Sequence, residues 1–331
     1  MLLLCNYYVT YRCNAYCSFC HFGDHTNFKA TPFTSLDDFK SNMNQLAKLG
    51  VKFVDLTGGE PLLHKEIHFM AEYAKSLKMQ TSITTNALLY PKFAEMLVGK
   101  VNLLHFSLDS PNEEEHNEIR KVDCYKSVME SIKIAKSIGE FPDILFTVTN
   151  DTYKKLPEMH EIAAKNDLVL LVNPVFSYFG NPGLTDEAID FVDDYCDGKL
   201  DVYLNKGFMK LRRNGGNDIN DPSCKAVSRV IVISPYNEIL LPCYHFANDK
   251  IAIDKPINEI RKTEKYKTFL KNEGRFDFCN GCTVNCYFEP SFAFPTNLYA
   301  VASLTSKFKY SYNKLVKQKL MNKLNPGVDT K

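Results

Sequence analysis

The chain has 331 residues, 45% of them apolar and 24% charged, the balance of a folded globular enzyme rather than a disordered segment. Its 40 Lys and Arg against 39 Asp and Glu leave a net charge of +1, which excludes a globally basic nucleic-acid binder. No apolar run approaches membrane-spanning length, and the start Met1-Leu2-Leu3-Leu4 is cut at Asn6 without a basic flank, so neither a membrane span nor a signal peptide is expected.

β-branched and aromatic runs predict six strands, at Leu2–Tyr11, Lys52–Thr57, Gln80–Thr85, Asn102–Asp109, Ile144–Thr149 and Val169–Val175. Helical periodicity fills the gaps: Leu36, Phe39, Met43, Leu46 and Leu49 recur at three- and four-residue steps. Ile67–Leu77, Phe93–Val98, Val128–Ile138 and Leu156–Ala164 read the same way. Strands alternating with helices imply a parallel sheet with right-handed crossovers, and six repeats fall short of the eight that close a full barrel. The expected fold is α/β, an incomplete (β/α)6 TIM-like barrel over residues 1–214.

Helical patterns at Asp186–Tyr195 and Leu200–Arg213 follow a Gly180-Asn181-Pro182-Gly183 break, and Asn214-Gly215-Gly216-Asn217 makes a second. A small cysteine-rich α+β module is expected at 215–297, with a hairpin of Val230–Ser234 and Ile239–Leu241 turning at Pro235-Tyr236-Asn237-Glu238. Residues 298–331 hold seven lysines and one acid. Leu304, Phe308, Tyr312, Leu315 and Leu320 give this tail one apolar face. It reads as a helix closing one end of the barrel, with peripheral contact to an anionic membrane as the alternative.

Eleven cysteines without a signal peptide point to reducing cytoplasm, and clustered thiols there mean metal. Cys5, Cys124 and Cys196 stand alone. Cys13, Cys17 and Cys20 lie within eight residues directly after the first strand, on the face where barrel active sites sit. Three thiolates suit a cubane iron–sulfur cluster with one iron left open; with His21 or His25 as a fourth ligand they also suit zinc. Cys224, Cys243, Cys279, Cys282 and Cys286 form the second group, and spacing alone leaves zinc and an iron–sulfur cluster both open there.

The C-x3-C-x2-C spacing, with Phe19 before the last cysteine, resembles the signature of radical S-adenosylmethionine (SAM) enzymes. Gly58-Gly59-Glu60-Pro61 after the second strand, Thr84-Thr85-Asn86 after the third and Phe106-Ser107-Leu108-Asp109-Ser110 after the fourth are similar to patterns of that superfamily. His116 and Arg120 continue the likeness into the following helix, so that it covers roughly residues 5–175. The resemblance implies a [4Fe–4S] cluster on Cys13, Cys17 and Cys20 whose open iron chelates SAM. It also implies a reducing donor such as flavodoxin or ferredoxin. Gly58, Gly59, Glu60 and Pro61 would meet the methionine ammonium; Asn86, Ser107 and Asp109 would serve the cofactor's polar groups, and Phe19 its adenine.

Behind such a barrel the second group resembles the SPASM and twitch modules. Five cysteines suit the shorter twitch form with one auxiliary [4Fe–4S] cluster, on Cys224, Cys243, Cys279 and either Cys282 or Cys286. Glu238 stands where a glycine is usual in the hairpin. The implied reaction is hydrogen abstraction from a substrate carbon by a 5′-deoxyadenosyl radical, with the auxiliary cluster relaying electrons. A peptide, a small metabolite or a lipid-linked molecule is the expected substrate. A non-enzymatic metal protein explains the thiols but not the ordered barrel motifs; an RNA-modifying radical enzyme would use the Lys307–Lys323 stretch.

Overall fold

The computed structural model describes residues 1–22, 30–177, 180–247, 249–294 and 297–314. Seven parallel strands form the barrel wall: β1 (Leu4–Thr10), β2 (Phe53–Gly58), β3 (Gln80–Thr85), β4 (Leu103–Ser107), β5 (Asp143–Val148), β6 (Leu170–Pro174) and the two-residue β7 (Val202–Tyr203). The expected six are present in order, and β7 corrects the helix expected over Leu200–Arg213, of which only Lys206–Arg213 is helical. Val202 and Tyr203 pair with Leu170 and Leu171, so this stretch extends the wall by one strand.

The same sheet continues on the other side of β1. β8 (Val230–Ile233) pairs in parallel with Leu4–Tyr7, and β9 (Glu238–Leu241) and β10 (Asp249–Ala252) follow antiparallel. The β8–β9 turn is the expected one, with Asn237 in left-handed backbone and its N–H on the Ser234 carbonyl at 3.1 Å.

The sheet's two faces differ in chemistry. Val54, Leu56, Ile83, Phe106, Ile144, Phe146 and Leu170 are fully buried against the surrounding helices. Helix Leu36–Lys48 shows why these helices form: Ser35 caps the Asp38 N–H at 3.0 Å, acids occupy the first turn and Lys48 the last. Its Phe39, Met43 and Leu46 reach zero exposure on the sheet. By the two-residue strand period, Asp55 and Thr57, Ser82 and Thr84, His105, Thr147 and Asn173 then face the barrel interior. Barrel interiors are usually filled by branched apolar side chains; this one is lined largely with polar groups, Leu145 and Leu171 being apolar members of the same face.

Helix Asn285–Ser291 and the C-terminal helix Leu298–Tyr312 close the assembly. The latter docks on helix Lys206–Arg213 through Ala300, Ser303 and Ser306, and Tyr310 donates to buried Asp143 at 2.5 Å. It therefore meets the barrel as expected, but by a different face: Phe308 is 76% and Tyr312 56% exposed. Gly207 is the reason. A Cβ there would strike Ser303 Oγ and the Tyr299 carbonyl, so only small side chains fit the contact. Leu315 and Leu320 lie outside the described residues, and among those described no helix is long and apolar enough to cross a membrane.

Candidate active site

The three-cysteine loop leaves β1 and runs beside the loop that leaves β2. The N–H groups of Gly59 and Glu60 donate to the carbonyls of Thr10 (3.1 Å) and Arg12 (2.9 Å), carrying the pairing past the strand ends. Here the glycines are obligatory. Gly58 has φ +155°, and a Cβ on it would overlap the Thr10 carbonyl; one on Gly59 would overlap that of Arg12 and press on Cys13 Cβ at 2.9 Å. The close approach these glycines allow within the chain is to the cysteine loop itself.

Glu60 fastens this corner to β3. Its buried carboxylate accepts from Leu62 N (3.0 Å), Thr85 Oγ1 (2.7 Å) and Asn86 N (2.9 Å), while burial holds its pKa above the usual range. Pro61 opens the short 3-10 turn that follows. The Asn86 side chain donates to Asn14 Oδ1 at 2.8 Å, tying β3 to the cysteine loop.

The other side of the loop rests on helix Glu113–Arg120. Tyr16 N and Ser18 N donate to the carbonyls of Arg120 (3.0 Å) and Ile119 (2.9 Å), which the helix end leaves without internal partners. The Arg120 guanidinium pairs with Asp109 Oδ2 through Nε (2.6 Å) and Nη2 (2.5 Å) and lies 5.7 Å from the Phe19 ring. It also faces Cys17, whose thiol burial raises and Arg120 lowers. Asp109 is fully buried; its second oxygen takes the Thr147 N–H at 3.0 Å. Its own N–H donates to His116 Nδ1 at 3.1 Å, and burial and the nearby Arg120 charge bring His116 down to about 4. Ser107, 4% exposed, ends β4 next to this pair. Arg120 is part of the sequence likeness without a role, and Asn14, an unassigned position within the cysteine motif, gains one only through its bond to Asn86.

Cys13, Cys17 and Cys20 are half-buried and close enough to act on one another electrostatically. Burial pushes the Cys13 thiol up to about 12, with Glu60 adding to the effect. Among the described residues no three Cys, His, Asp or Glu side chains converge tightly enough to grip a single ion. A cluster takes each thiolate on a different iron, so three spread thiols fit an iron–sulfur guest, which demands less convergence than a single ion does.

In the second group Cys224, Cys243, Cys279 and Cys282 neighbour one another, and burial raises all four thiols. Asn217, 2% exposed, ties three of them together. Its Oδ1 accepts from Ser223 N (3.1 Å) and Cys224 N (3.2 Å), and its Nδ2 donates to the carbonyls of Gly274 (2.8 Å) and Cys279 (3.1 Å). Its backbone N–H reaches the Cys282 carbonyl at 3.0 Å. Cys286 differs in being solvent-exposed, and both Asp55 and Cys282 act on its thiol.

The radical SAM superfamily profile matches residues 7–163. That match spans 157 of the 331 residues. A probable GTP 3′,8-cyclase of Methanococcus maripaludis strain C5 is 25% identical over 287 residues, 82% of this chain and 94% of the relative. The antilisterial bacteriocin subtilosin biosynthesis protein AlbA of Bacillus subtilis is 25% identical over 75% of this chain and 56% of its own. Among solved structures, Streptococcus suis SuiB bound to S-adenosylmethionine superimposes with a TM-score of 0.65 at 20% identity, covering 82% of this chain and 68% of SuiB. Histidine-tagged anSMEcpe with bound AdoMet gives 0.65 at 18% identity, covering 99% and 97%. The chain is an enzyme that carries the features of SAM-binding, iron–sulfur radical chemistry over residues 7–163.

Proposed function

We propose that Cys13, Cys17 and Cys20 hold the [4Fe–4S] cluster and that the chain abstracts hydrogen from a carbon of a peptide or small polar metabolite. The bound, reduced cluster supplies the electron that cleaves SAM to methionine and a 5′-deoxyadenosyl radical. The chain's part is to hold and exclude. Gly58 and Gly59 let the cysteine loop lie against β2, and Glu60, Asn86 and Pro61 fix the edge on which the methionine end of SAM rests. Ser107 and Phe19 border the adenosine side. Asp109 works from behind, its oxygens committed to Arg120 and Thr147.

The observation that carries this reading is the three-thiol loop at the strand ends, locked between the glycine corner and Arg120. Residues 215–297 are proposed to carry one auxiliary cluster on Cys224, Cys243, Cys279 and Cys282, with Cys286 outside it. An all-thiolate site of that kind suits electron relay better than substrate binding. A flavodoxin or ferredoxin is the proposed donor, and the cytoplasm the proposed location. A peptide substrate is favoured by relatives named for bacteriocin biosynthesis and for binding the precursor peptide SuiA.

The test is iron and acid-labile sulfide per chain after anaerobic reconstitution, with 5′-deoxyadenosine formation from SAM under reducing conditions. About eight irons are expected, falling to about four in Cys17→Ala and in Cys243→Ala, with Cys286→Ala unchanged. 5′-deoxyadenosine should be lost in Cys17→Ala. Zinc in place of iron, or an iron content that Cys17→Ala leaves intact, overturns the assignment.

A further inference from the structure

Among the described residues, four buried or half-buried carboxylates of the barrel have a cation or at least three hydrogen-bond donors. Glu60 has three donors, and Asp109 has Arg120 and the Thr147 N–H. Asp143 holds Lys314 Nζ and Tyr310 OH, each at 2.5 Å. Glu289 holds Lys307 (3.0 Å), Asn205 (2.9 Å) and Tyr203 (3.4 Å). Asp55 differs. Its hydrogen bond comes from Ser82 Oγ at 2.7 Å, a neutral partner on one oxygen, and no cation pairs with it among the described residues.

The basic side chains that reach the described barrel are committed elsewhere. Lys314 and Lys307 are bound as above, Arg120 is bound to Asp109, and Arg212 is spent on Asn285 Oδ1 and the carbonyls of Pro174 and Thr283. A half-buried carboxylate given one neutral hydroxyl is partly desolvated with no opposite charge to compensate. The space beside it is reachable nonetheless. Cys286, within electrostatic reach of Asp55, is solvent-exposed. Asp55 thus stands on the inner wall with part of its surface open to solvent.

We propose that Asp55 is a specificity residue that receives a primary ammonium group of the substrate inside the barrel. The substrate class is accordingly an amine: a lysine-type side chain of a peptide, or a small primary amine. An ammonium gives the carboxylate the charge and the donors that Ser82 alone does not. This rests on the reading of the barrel as the chamber of the radical reaction.

Cys286 reports the field of Asp55 without a known substrate. Reconstituted holoenzyme, freed of reductant, is treated with aminoethyl, sulfonatoethyl and methyl methanethiosulfonate, and modification of Cys286 is timed by peptide mapping. Normalised to the neutral methyl reagent, the aminoethyl cation should react about tenfold or more faster than the sulfonate. Asp55→Asn, which keeps a partner for Ser82, should reduce that preference to about threefold or less, and Asp55→Glu should retain it. Equal rates for the two charged reagents overturn the proposal, as does a preference that survives Asp55→Asn. So does a Cys286 that the methyl reagent cannot reach. Iron content and circular dichroism of each variant establish that it is folded and loaded. Failure of the radical reading shows separately, as absence of 5′-deoxyadenosine from the unmodified enzyme.

Discussion

At Asp55 function and stability oppose each other. Burial lifts its carboxyl from 3.8 to about 6, with Ser82 offsetting only part of the effect. Both states are protonated below about pH 4, so the residue then costs nothing. Between 4 and 6 the unfolded chain ionises while the folded one resists, and stability falls as pH rises; above 6 the full cost is present. Asp55→Asn should therefore raise the urea midpoint at pH 7.5 by the equivalent of about 1 to 2 kcal/mol, and the gain should shrink toward zero as pH falls to about 4.5. An advantage that does not change with pH would show that shape rather than charge sets the difference. Glu60 makes the contrast: its environment also raises its pKa, yet three donors hold it, and it works as a corner brace.

At the level of elements, Asn205 is the joint on which three meet. Its Oδ1 caps helix Lys206–Arg213 at Gly207 N (2.9 Å) and accepts Ser303 Oγ (2.6 Å) from the C-terminal helix, while its Nδ2 donates to Glu289 (2.9 Å) of the helix that closes the barrel. Asn205→Ala removes a cap and leaves two buried partners unmatched, a loss of about 2 to 4 kcal/mol. Faster amide exchange in the C-terminal helix than in β1–β4 should accompany it; a uniform change across the chain would sink the joint. The same region shows what a sequence hides. The long strands and helices were legible because their apolar periods are long, and the cysteine, glycine and Asp109 motifs because their spacing is unusual. Val202–Tyr203 is too short for any period and sits in a run whose Leu204, Phe208 and Leu211 read as helical. The tail's Phe308 and Tyr312 promised an apolar contact, but the partner surface is Gly207, and small residues won. Asn217 is one asparagine in a turn, and nothing local announces that it ties the Cys224 loop to the Cys279–Cys282 loop. Asp55 was readable only as a polar residue on an inner face; that Glu60, Asp109, Asp143 and Glu289 each have their donors is a fact of tertiary structure.

Over the whole molecule, chemistry and packing divide the chain differently. The thiol groups suggest a break near Asn214, yet β8 lies beyond it and pairs with Leu4–Tyr7 of β1. Ile231, Ile233, Ile239, Leu241, Ile257, Ile260 and Tyr266 belong to the same core as Val54 and Phe106. Asn42 Nδ2 on helix Leu36–Lys48 donates to Asn237 Oδ1 at 2.8 Å, and Gln45 on the same helix accepts the Ile257 N–H at 2.7 Å. A chain cut after Asn214 would expose an unpaired β1 edge and those apolar partners; burying a large apolar side chain is worth about 1.5 to 3 kcal/mol, so the loss of several exceeds an ordinary net stability of about 5 to 15 kcal/mol. It would also leave the barrel interior open where Asn285 bonds Asn173 Oδ1 at 2.6 Å and Glu289 bonds Tyr203. The cut chain should accordingly aggregate, or elute as an expanded species with no cooperative melt, whereas Cys243→Ala in the full chain stays monodisperse and keeps about four irons. A cut chain that melts cooperatively and binds about four irons would show instead that the barrel folds alone, with the cysteine-rich part added to a finished sheet.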